Sequence, residues 1–422
     1  MKSFKSVKQV KNSFKKILNK KNTLLKENKN ILNKISENLL NEDFSNFEAY
    51  NKILKYNLFD EEYYLKQCEF KPETDSLLHY IYIGYLYDYN PCEMFDTKFY
   101  KEFNKNIGNE NPLVYFVEKG INEGIIKINK DVWQPLAINK YEIREDIEKF
   151  DEYGLNEDKR DDSLIISLTS YPKRINEIKY TIHSLLKQDW KADKIILWLA
   201  EKEFPKHEED LPEDLLRFKQ YGLTIKWCDS IKSYKKLIPS LQEYNDSLIV
   251  TADDDLYYPK EWLKKLYEHH EKYPQDIVTH RARKIRFKDS ELRNYKEWTV
   301  CENEEDASFL NFFTTGGGTL FPPNSLSKTV YQTKIYDNIC PTGDDIWFWA
   351  MAVLNDTKIR VVKDNICDIT YVNPARDIVF NKDTLWSYNE THNDEQFKSL
   401  LEEFPIIKEK ILDEYKNIDL QK

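Results

Sequence analysis

Glycine is scarce in this chain, ten residues in 422. No G-x-G-x-x-G or G-x-x-x-x-G-K-[ST] run occurs, which excludes the loops that cradle phosphates by backbone in dinucleotide-binding and P-loop proteins. Cysteine is sparse too: Cys68, Cys92, Cys228, Cys301, Cys340 and Cys367 are scattered, with no C-x-x-C pair. That spacing offers neither a zinc site nor a disulfide framework and fits a reducing compartment. No apolar run approaches the ~18 residues of a membrane span, and the lysine-rich start lacks the apolar core of a secretion signal. These absences predict a cytoplasmic protein. A net charge of −10 argues against nucleic acid as a partner. What the chain does have is charge (32%) and aromatic side chains (14%), with length for two or three domains and at least one large core.

The charge is unevenly spread. Residues 1–40 hold eleven lysines against two glutamates. Phe4, Leu18, Leu25, Leu32 and Leu39 share one heptad position, with Val7, Phe14 and Ile35 on the facing one, so residues 1–45 are expected to form a basic amphipathic helix. Such a helix lies on an anionic membrane surface, self-associates as a coiled coil through residues 1–42, or stays a solvated tail. The first outcome would make the protein peripheral on the inner face of the cytoplasmic membrane.

Residues 46–130 contain two copies of a pattern with a period of about 36 residues, predicting a helical repeat domain. Leu58-Phe59-Asp60-Glu61-Glu62-Tyr63-Tyr64 returns as Met94-Phe95-Asp96-Thr97-Lys98-Phe99-Tyr100. The Asp after each Phe suits a helix N-cap, and the aromatic stripe reads as core. His79 is matched by Val114 in the second copy and reads as packing. The copies resemble the F-D-x-x-Y-Y-L … N-P-L-x-H-Y-L-x-x-G repeats attached to many bacterial polysaccharide glycosyltransferases. Residues 131–162, charged and irregular, read as a linker with some helix.

A new domain is expected over 163–395, with a C-terminal helix over 396–422. Leu164–Leu168, Lys194–Leu199, Leu223–Trp227 and Leu248–Ala252 are branched, apolar runs separated by helical periods. That alternation predicts an α/β fold with a mainly parallel, doubly wound sheet. Right-handed crossovers bring the loops after these strands to one edge. The fourth strand runs into Asp253, Asp254 and Asp255, then Tyr257, Tyr258 and Pro259. Aspartates this close repel one another, so a divalent cation between them lowers the cost; two carboxylates suit Mg2+ or Mn2+ with the remaining ligands from water and substrate phosphates. An acidic turn is the other reading of the same residues. With no glycine-rich loop, a nucleotide must be held by side chains. Arg174 and Asp229 are candidates, each with a surface-charge alternative.

From Leu164 to Tyr258 the chain resembles the donor half of a GT-A glycosyltransferase, whose Rossmann-like sheet presents a D-x-D element. The resemblance extends over roughly residues 163–380. It implies a nucleotide-sugar donor, most readily a UDP-sugar, held by Thr169, Tyr171, Arg174, Asp229, Lys235, Lys236, Asp253 and Asp254; a helix surface is the equal alternative for the two lysines. It also implies Mn2+ or Mg2+ at Asp253 and Asp255, with His392 either a further ligand or, more simply, a lone exposed histidine. Asn311-Phe312-Phe313-Thr314-Thr315-Gly316-Gly317-Gly318 is a strand opening into three glycines, where backbone can approach a sugar. Gly343-Asp344-Asp345 precedes an aromatic helix, on the pattern either of an acidic N-terminal cap or, by the resemblance, of the acid pair of an inverting enzyme. Asp345 would then be the base and Asp344 its orienting neighbour. The expected activity is metal-dependent transfer of a hexosyl group to a hydroxyl of a glycan or lipid-linked acceptor, as in capsule or lipopolysaccharide assembly. A metal-dependent nucleotidyl or phosphoryl transferase and an inert scaffold are the competing readings.

Overall fold

A computed structural model describes residues 45–419, apart from 57, 69–71, 73–74, 124–126, 130–135, 139, 304, 368–369 and 374–384. The basic segment up to residue 44 lies outside the described residues. Two compact units are present, one from the described residues up to Lys140, the other from Tyr141–Val372 with the C-terminal helices.

The first unit is helical. Asp60 caps helix Glu61–Leu65 by accepting from the Tyr63 N–H at 3.0 Å. Asp96 caps helix Thr97–Phe103 through the Phe99 N–H at 2.8 Å. The aromatic stripe is core: Phe59, Tyr64, Tyr80, Phe95, Tyr100 and Phe116 are buried together. His79 sits 2.6 Å from the Tyr64 hydroxyl, and burial lowers its pKa to about 4.

The second unit is built on an eight-stranded sheet. Its strands are β1 (Leu164–Thr169), β2 (Lys194–Ala200), β3 (Leu223–Cys228), β4 (Leu248–Thr251), β6 (Ile277–Thr279), β9 (Glu305–Ser308), β11 (Thr319–Phe321) and β12 (Ile359–Val361). They lie in the order β9-β12-β6-β11-β4-β1-β2-β3. β1 is parallel to β2 and β4, β2 to β3, and β6 to β12. Only β11 and the edge strand β9 run against their neighbours. The sheet is therefore mainly parallel. The central strands β1 and β4 are buried along nearly their whole length, which is why Leu, Ile and Val dominate them, with the hydroxyls of Ser167 and Thr251 hydrogen-bonded inside.

Smaller strands complete the site end: β5 (Leu256–Tyr257) pairs with β13 (Thr370–Tyr371), and β7 (Ala282–Lys284) lies between β8 (Thr299–Val300) and β10 (Asn311–Phe313). Helices α1 (Ile178–Leu186), α2 (Trp262–Lys272), α3 (Asp344–Leu354), α4 (Leu385–Glu403) and α5 (Pro405–Asp419) flank the sheet. α3 is apolar on every side because it is enclosed: Trp347, Phe348 and Trp349 are fully buried, with α4 and α5 supplying Phe397, Leu400, Ile407 and Ile411 to the same core.

Two boundaries differ from the sequence reading. Residues 141–162 belong to the second unit: Ile147 and Phe150 are buried, and Phe150 packs edge-on against Phe218 and Tyr221. A charged surface hid this, since few apolar residues face inward. The C-terminal helix is two helices joined at Pro405, and the first begins before residue 396. Among the described residues no helix is long and apolar enough to cross a membrane.

Candidate active site

The site forms where β4 ends. Thr251 is buried and donates its hydroxyl to the carbonyls of Thr315 (3.0 Å) and Thr319 (3.3 Å), clamping the strand end to the glycine segment. Tyr258 adds a second tie: its hydroxyl accepts from the Asp253 N–H at 2.8 Å and donates to the Gly316 carbonyl at 2.7 Å. Glycine is required here by close approach. A β-carbon on Gly316 would overlap Asp253 Oδ2, and one on Gly318, at φ +106°, would meet the Trp262 indole.

The three aspartates have different surroundings. Asp254 turns inward, accepting from Ser170 Oγ at 2.5 Å and Arg174 NH1 at 2.8 Å. Arg174 also pairs with Asp255 at 2.9 Å, so one guanidinium answers two carboxylates. Asp253 Oδ1 lies 2.5 Å from Lys236 Nζ, and its side chain stays 35% exposed, the most open of the three.

Lys236 is the hub. It is 6% exposed and reaches Asp253, Asp344 at 3.3 Å and Thr315 Oγ1 at 3.2 Å. A buried ammonium is stable only when so paired. Burial would lower its pKa, but Asp253, Asp344 and Asp345 outweigh that and hold it well above the lysine range. The turn carrying Lys236 is fixed to β1, whose Ser167 hydroxyl donates to the Lys236 carbonyl at 2.6 Å.

The acid pair forms the acidic first turn of α3 without capping it by hydrogen bond. Gly343 holds the cap position, and no side chain caps the helix. Asp345 instead accepts from the Thr315 N–H at 2.9 Å and the Thr315 hydroxyl at 2.5 Å, both through Oδ1. Its carboxyl is pushed up to about 7, first by burial and then by the charge of Asp344, against the opposing pull of Lys236 and Thr315. Asp345 nevertheless stays partly exposed, whereas Asp344 is buried and its Oδ2 meets Lys236 Nζ at 3.3 Å as an ion pair. A carboxylate poised near neutrality with one oxygen held and part of its surface open can take a proton.

The other expected residues divide. Lys235 is buried and committed to Glu203 at 2.6 Å and the Ser170 carbonyl at 3.3 Å. Thr169 donates its hydroxyl to the Trp198 carbonyl at 2.8 Å. Tyr171 is exposed beside Arg174, and Asp229 is exposed beyond β3. Gly317 backs onto Arg281, whose Cβ would lie 2.6 Å from a β-carbon there. His392 does not join the acids: its ring stacks on Tyr388 at 3.8 Å and its Nδ1 lies 2.7 Å from the Tyr388 carbonyl. Among the described residues no three His, Cys, Asp or Glu side chains converge as a ready cation cage.

Sequence reasoning missed Ser170, Tyr258 and Thr315. Thr315 had one visible signal, a hydroxyl residue directly before the glycines.

Asp253 and Asp255 are hard oxygen donors of the class that Mg2+ and Mn2+ take; here they face Lys236 and Arg174, and the missing side chain at Gly316 makes room for Asp253 Oδ2 itself.

Residues 241–328 match the family described as glycosyl transferase family 2. The chain is similar to that family. The family 2 stretch contains the three aspartates, Tyr258, the glycine loop and β11, and it supports a glycosyltransferase. No curated protein matches the chain. Among solved structures, S. aureus TarS 1–349 is 14% identical at a TM-score of 0.35, covering 57% of this chain and 72% of that one. The same fragment in complex with UDP is 15% identical at 0.34, covering 50% of this chain and 59% of its own. 4-Diphosphocytidyl-2C-methyl-D-erythritol synthase is 12% identical at 0.25, covering 33% and 72%. At such TM-scores these likenesses carry no argument.

Proposed function

We propose that the second unit transfers a hexosyl group from a nucleotide-sugar donor, with UDP the first nucleotide to test, to a hydroxyl of a bacterial surface glycan or its lipid-linked precursor. The observation that carries this reading is Asp345: a carboxyl raised to about 7, held on Thr315 and joined through Lys236 to the acid that ends β4. Asp345 takes the acceptor proton as the acceptor oxygen attacks the anomeric carbon. The bond to the donor diphosphate breaks with its electron pair leaving on the diphosphate, so the configuration inverts. Asp253 and Asp255 would hold Mn2+ or Mg2+, which supplies charge neutralisation for the leaving diphosphate. Arg174 and Lys236 fix those acids, Asp344 holds Lys236 beside the base, and Gly316–Gly318, expected to approach a sugar, instead let the loop close on Asp253, Arg281 and Trp262. Thr169 ends β1 with its hydroxyl on the Trp198 carbonyl, while Tyr171 and Asp229 lie in the loops after β1 and β3, at the edge where a nucleotide would bind.

The test is a screen of nucleotide sugars for release of nucleoside diphosphate, with and without Mn2+. Turnover of one donor that stops in excess chelator is expected. Turnover that ignores chelator would remove the metal assignment. Release of inorganic diphosphate would make the enzyme a nucleotidyltransferase instead.

Residues 1–42 would dock the protein on anionic lipid where a lipid-linked acceptor resides. The full chain should then sediment with anionic vesicles at low salt, and residues 46–422 should not. A fall in oligomer size on truncation would point to a coiled coil.

A further inference from the structure

The loop Cys340–Gly343, which leads into Asp344 and Asp345, is held residue by residue from two sides. On one side stands the Lys232–Lys236 turn. There the Tyr234 hydroxyl donates to the Cys340 carbonyl at 2.6 Å, Lys232 donates to the Pro341 carbonyl at 3.0 Å, and Lys236 pairs with Asp344. On the other side stands α4. Its Asn389 and Gln396 are two helical turns apart and so share a face. Asn389 accepts from the Thr342 hydroxyl at 2.6 Å and donates to the Thr342 carbonyl at 2.9 Å. Gln396 Oε1 accepts from the Thr342 N–H at 3.1 Å and lies 3.3 Å from its hydroxyl. Two amides of one helix thus engage the N–H, carbonyl and hydroxyl of Thr342. Gly343 permits the approach, since a β-carbon there would lie 3.1 Å from Gln396 Oε1.

The helix that carries these amides is itself fixed. Phe397 stacks on Trp349 of α3 at 5.1 Å and meets Trp298 edge-on at 5.1 Å, and the Tyr295 N–H donates to Asp394 at 2.7 Å. Gln396 is buried at the margin of the core that holds Phe397 and Leu400. Burying an amide costs free energy unless it is bonded, and a leucine would pack there without that cost. What the amide adds is direction: it fixes the backbone three residues before Asp345. Thr315 holds one oxygen of Asp345. A carboxyl held at one oxygen still moves with the start of α3 unless that backbone is fixed as well. Reacting groups tolerate little displacement, and about 1 Å costs on the order of 10²-fold in rate.

We propose that Asn389 and Gln396 are positioning residues for the transfer: by clamping Thr342 they set where Asp345 meets the acceptor hydroxyl. This rests on the glycosyltransferase reading above.

Kinetics and calorimetry on the full chain test it. Release of nucleoside diphosphate is followed from UDP-, GDP- and CDP-sugars with Mn2+ present, water standing in for the acceptor hydroxyl, and affinity for the released nucleotide is read by calorimetry. On the donor turned over fastest, the Asn389→Leu/Gln396→Leu double variant should lower kcat about 10²-fold and keep nucleotide Kd within about twofold. A base out of place slows the chemical step without weakening the donor. Thr342→Val, which deletes the hydroxyl and keeps the shape, should lower kcat by about tenfold, and Thr342→Ser should restore it. Ile411→Val thins the same core from α5; it should lower Tm and keep wild-type kcat, which separates position from stability. Wild-type kcat in the double variant, nucleotide affinity lost in step with kcat, or Thr342→Ser as slow as Thr342→Val overturns the proposal. A fall in kcat for Ile411→Val equal to that of the double variant overturns it too. If the double variant does not fold, the Thr342 pair decides alone. Failure of the enzyme reading looks different, because wild type would then release nucleoside diphosphate from none of the sugars, and the proposal would fall with it.

Discussion

Asp345 and Lys236 set each other's charge. Lys236 pulls the Asp345 carboxyl down against burial and Asp344, and the balance rests near 7. A base works deprotonated, so kcat/KM is expected to fall as pH drops below about 7 and to level off above it. Asp345→Asn should abolish transfer and leave donor affinity nearly intact, since a base acts only as the proton leaves. Donor binding lost in step with activity, read by calorimetry, would make Asp345 a donor ligand. Lys236→Met removes the charge that most favours the Asp345 carboxylate, so the acid limb of the pH profile should move to higher pH. The same change leaves Asp253 and Asp344 unpaired and should lower unfolding stability by about 3–5 kcal/mol, measured by denaturant titration. An unmoved acid limb in a folded Lys236→Met variant would mean that another group titrates.

At the scale of elements, the glycine loop joins the two acid clusters. Gly316→Ala forces Asp253 aside, and a displacement of about 1 Å costs on the order of 10²-fold in turnover. Gly318→Ala adds strain at a positive φ and a clash with Trp262, so it should cost about 1–3 kcal/mol of stability as well. Thermal melts separate the two: Gly316→Ala loses activity at a nearly wild-type Tm, and Gly318→Ala loses both. The central strands were legible because burial on both faces favours Leu, Ile and Val along most of their length. Their observed ends fall within a residue or two of the apolar runs. The glycine segment was legible as a loop, but the return of Thr319–Phe321 into the sheet was not, because three residues carry too little pattern. Lys235 and Lys236 show the limit most clearly. Adjacent lysines read equally as helix surface or as site residues, and only the fold turns both inward, one to Glu203 and one to Asp253.

Across the whole chain, chemistry and packing are divided between the two units. The helical unit has an aromatic core and repeated Asp caps, so Asp60→Ala and Asp96→Ala should each destabilise it by about 1 kcal/mol. Donor turnover by the second unit should be unaffected by either, and a loss of turnover would show that the units are coupled. Within the second unit, the place of β11 has a kinetic consequence. β4 gains its second neighbour only when Thr319–Phe321 pairs with Ile249–Thr251, across about 70 residues of intervening chain. During synthesis, β4 therefore waits with a bare edge on one side, and its three acids have no glycine loop to face. Pairings this distant are slow to form and leave the nascent chain exposed to edge-to-edge association. Ribosome-bound fragments ending before residue 319 should resist neither protease nor aggregation. Those that have released β11 should begin to do both, with the acid cluster assembled in the same step that closes the sheet.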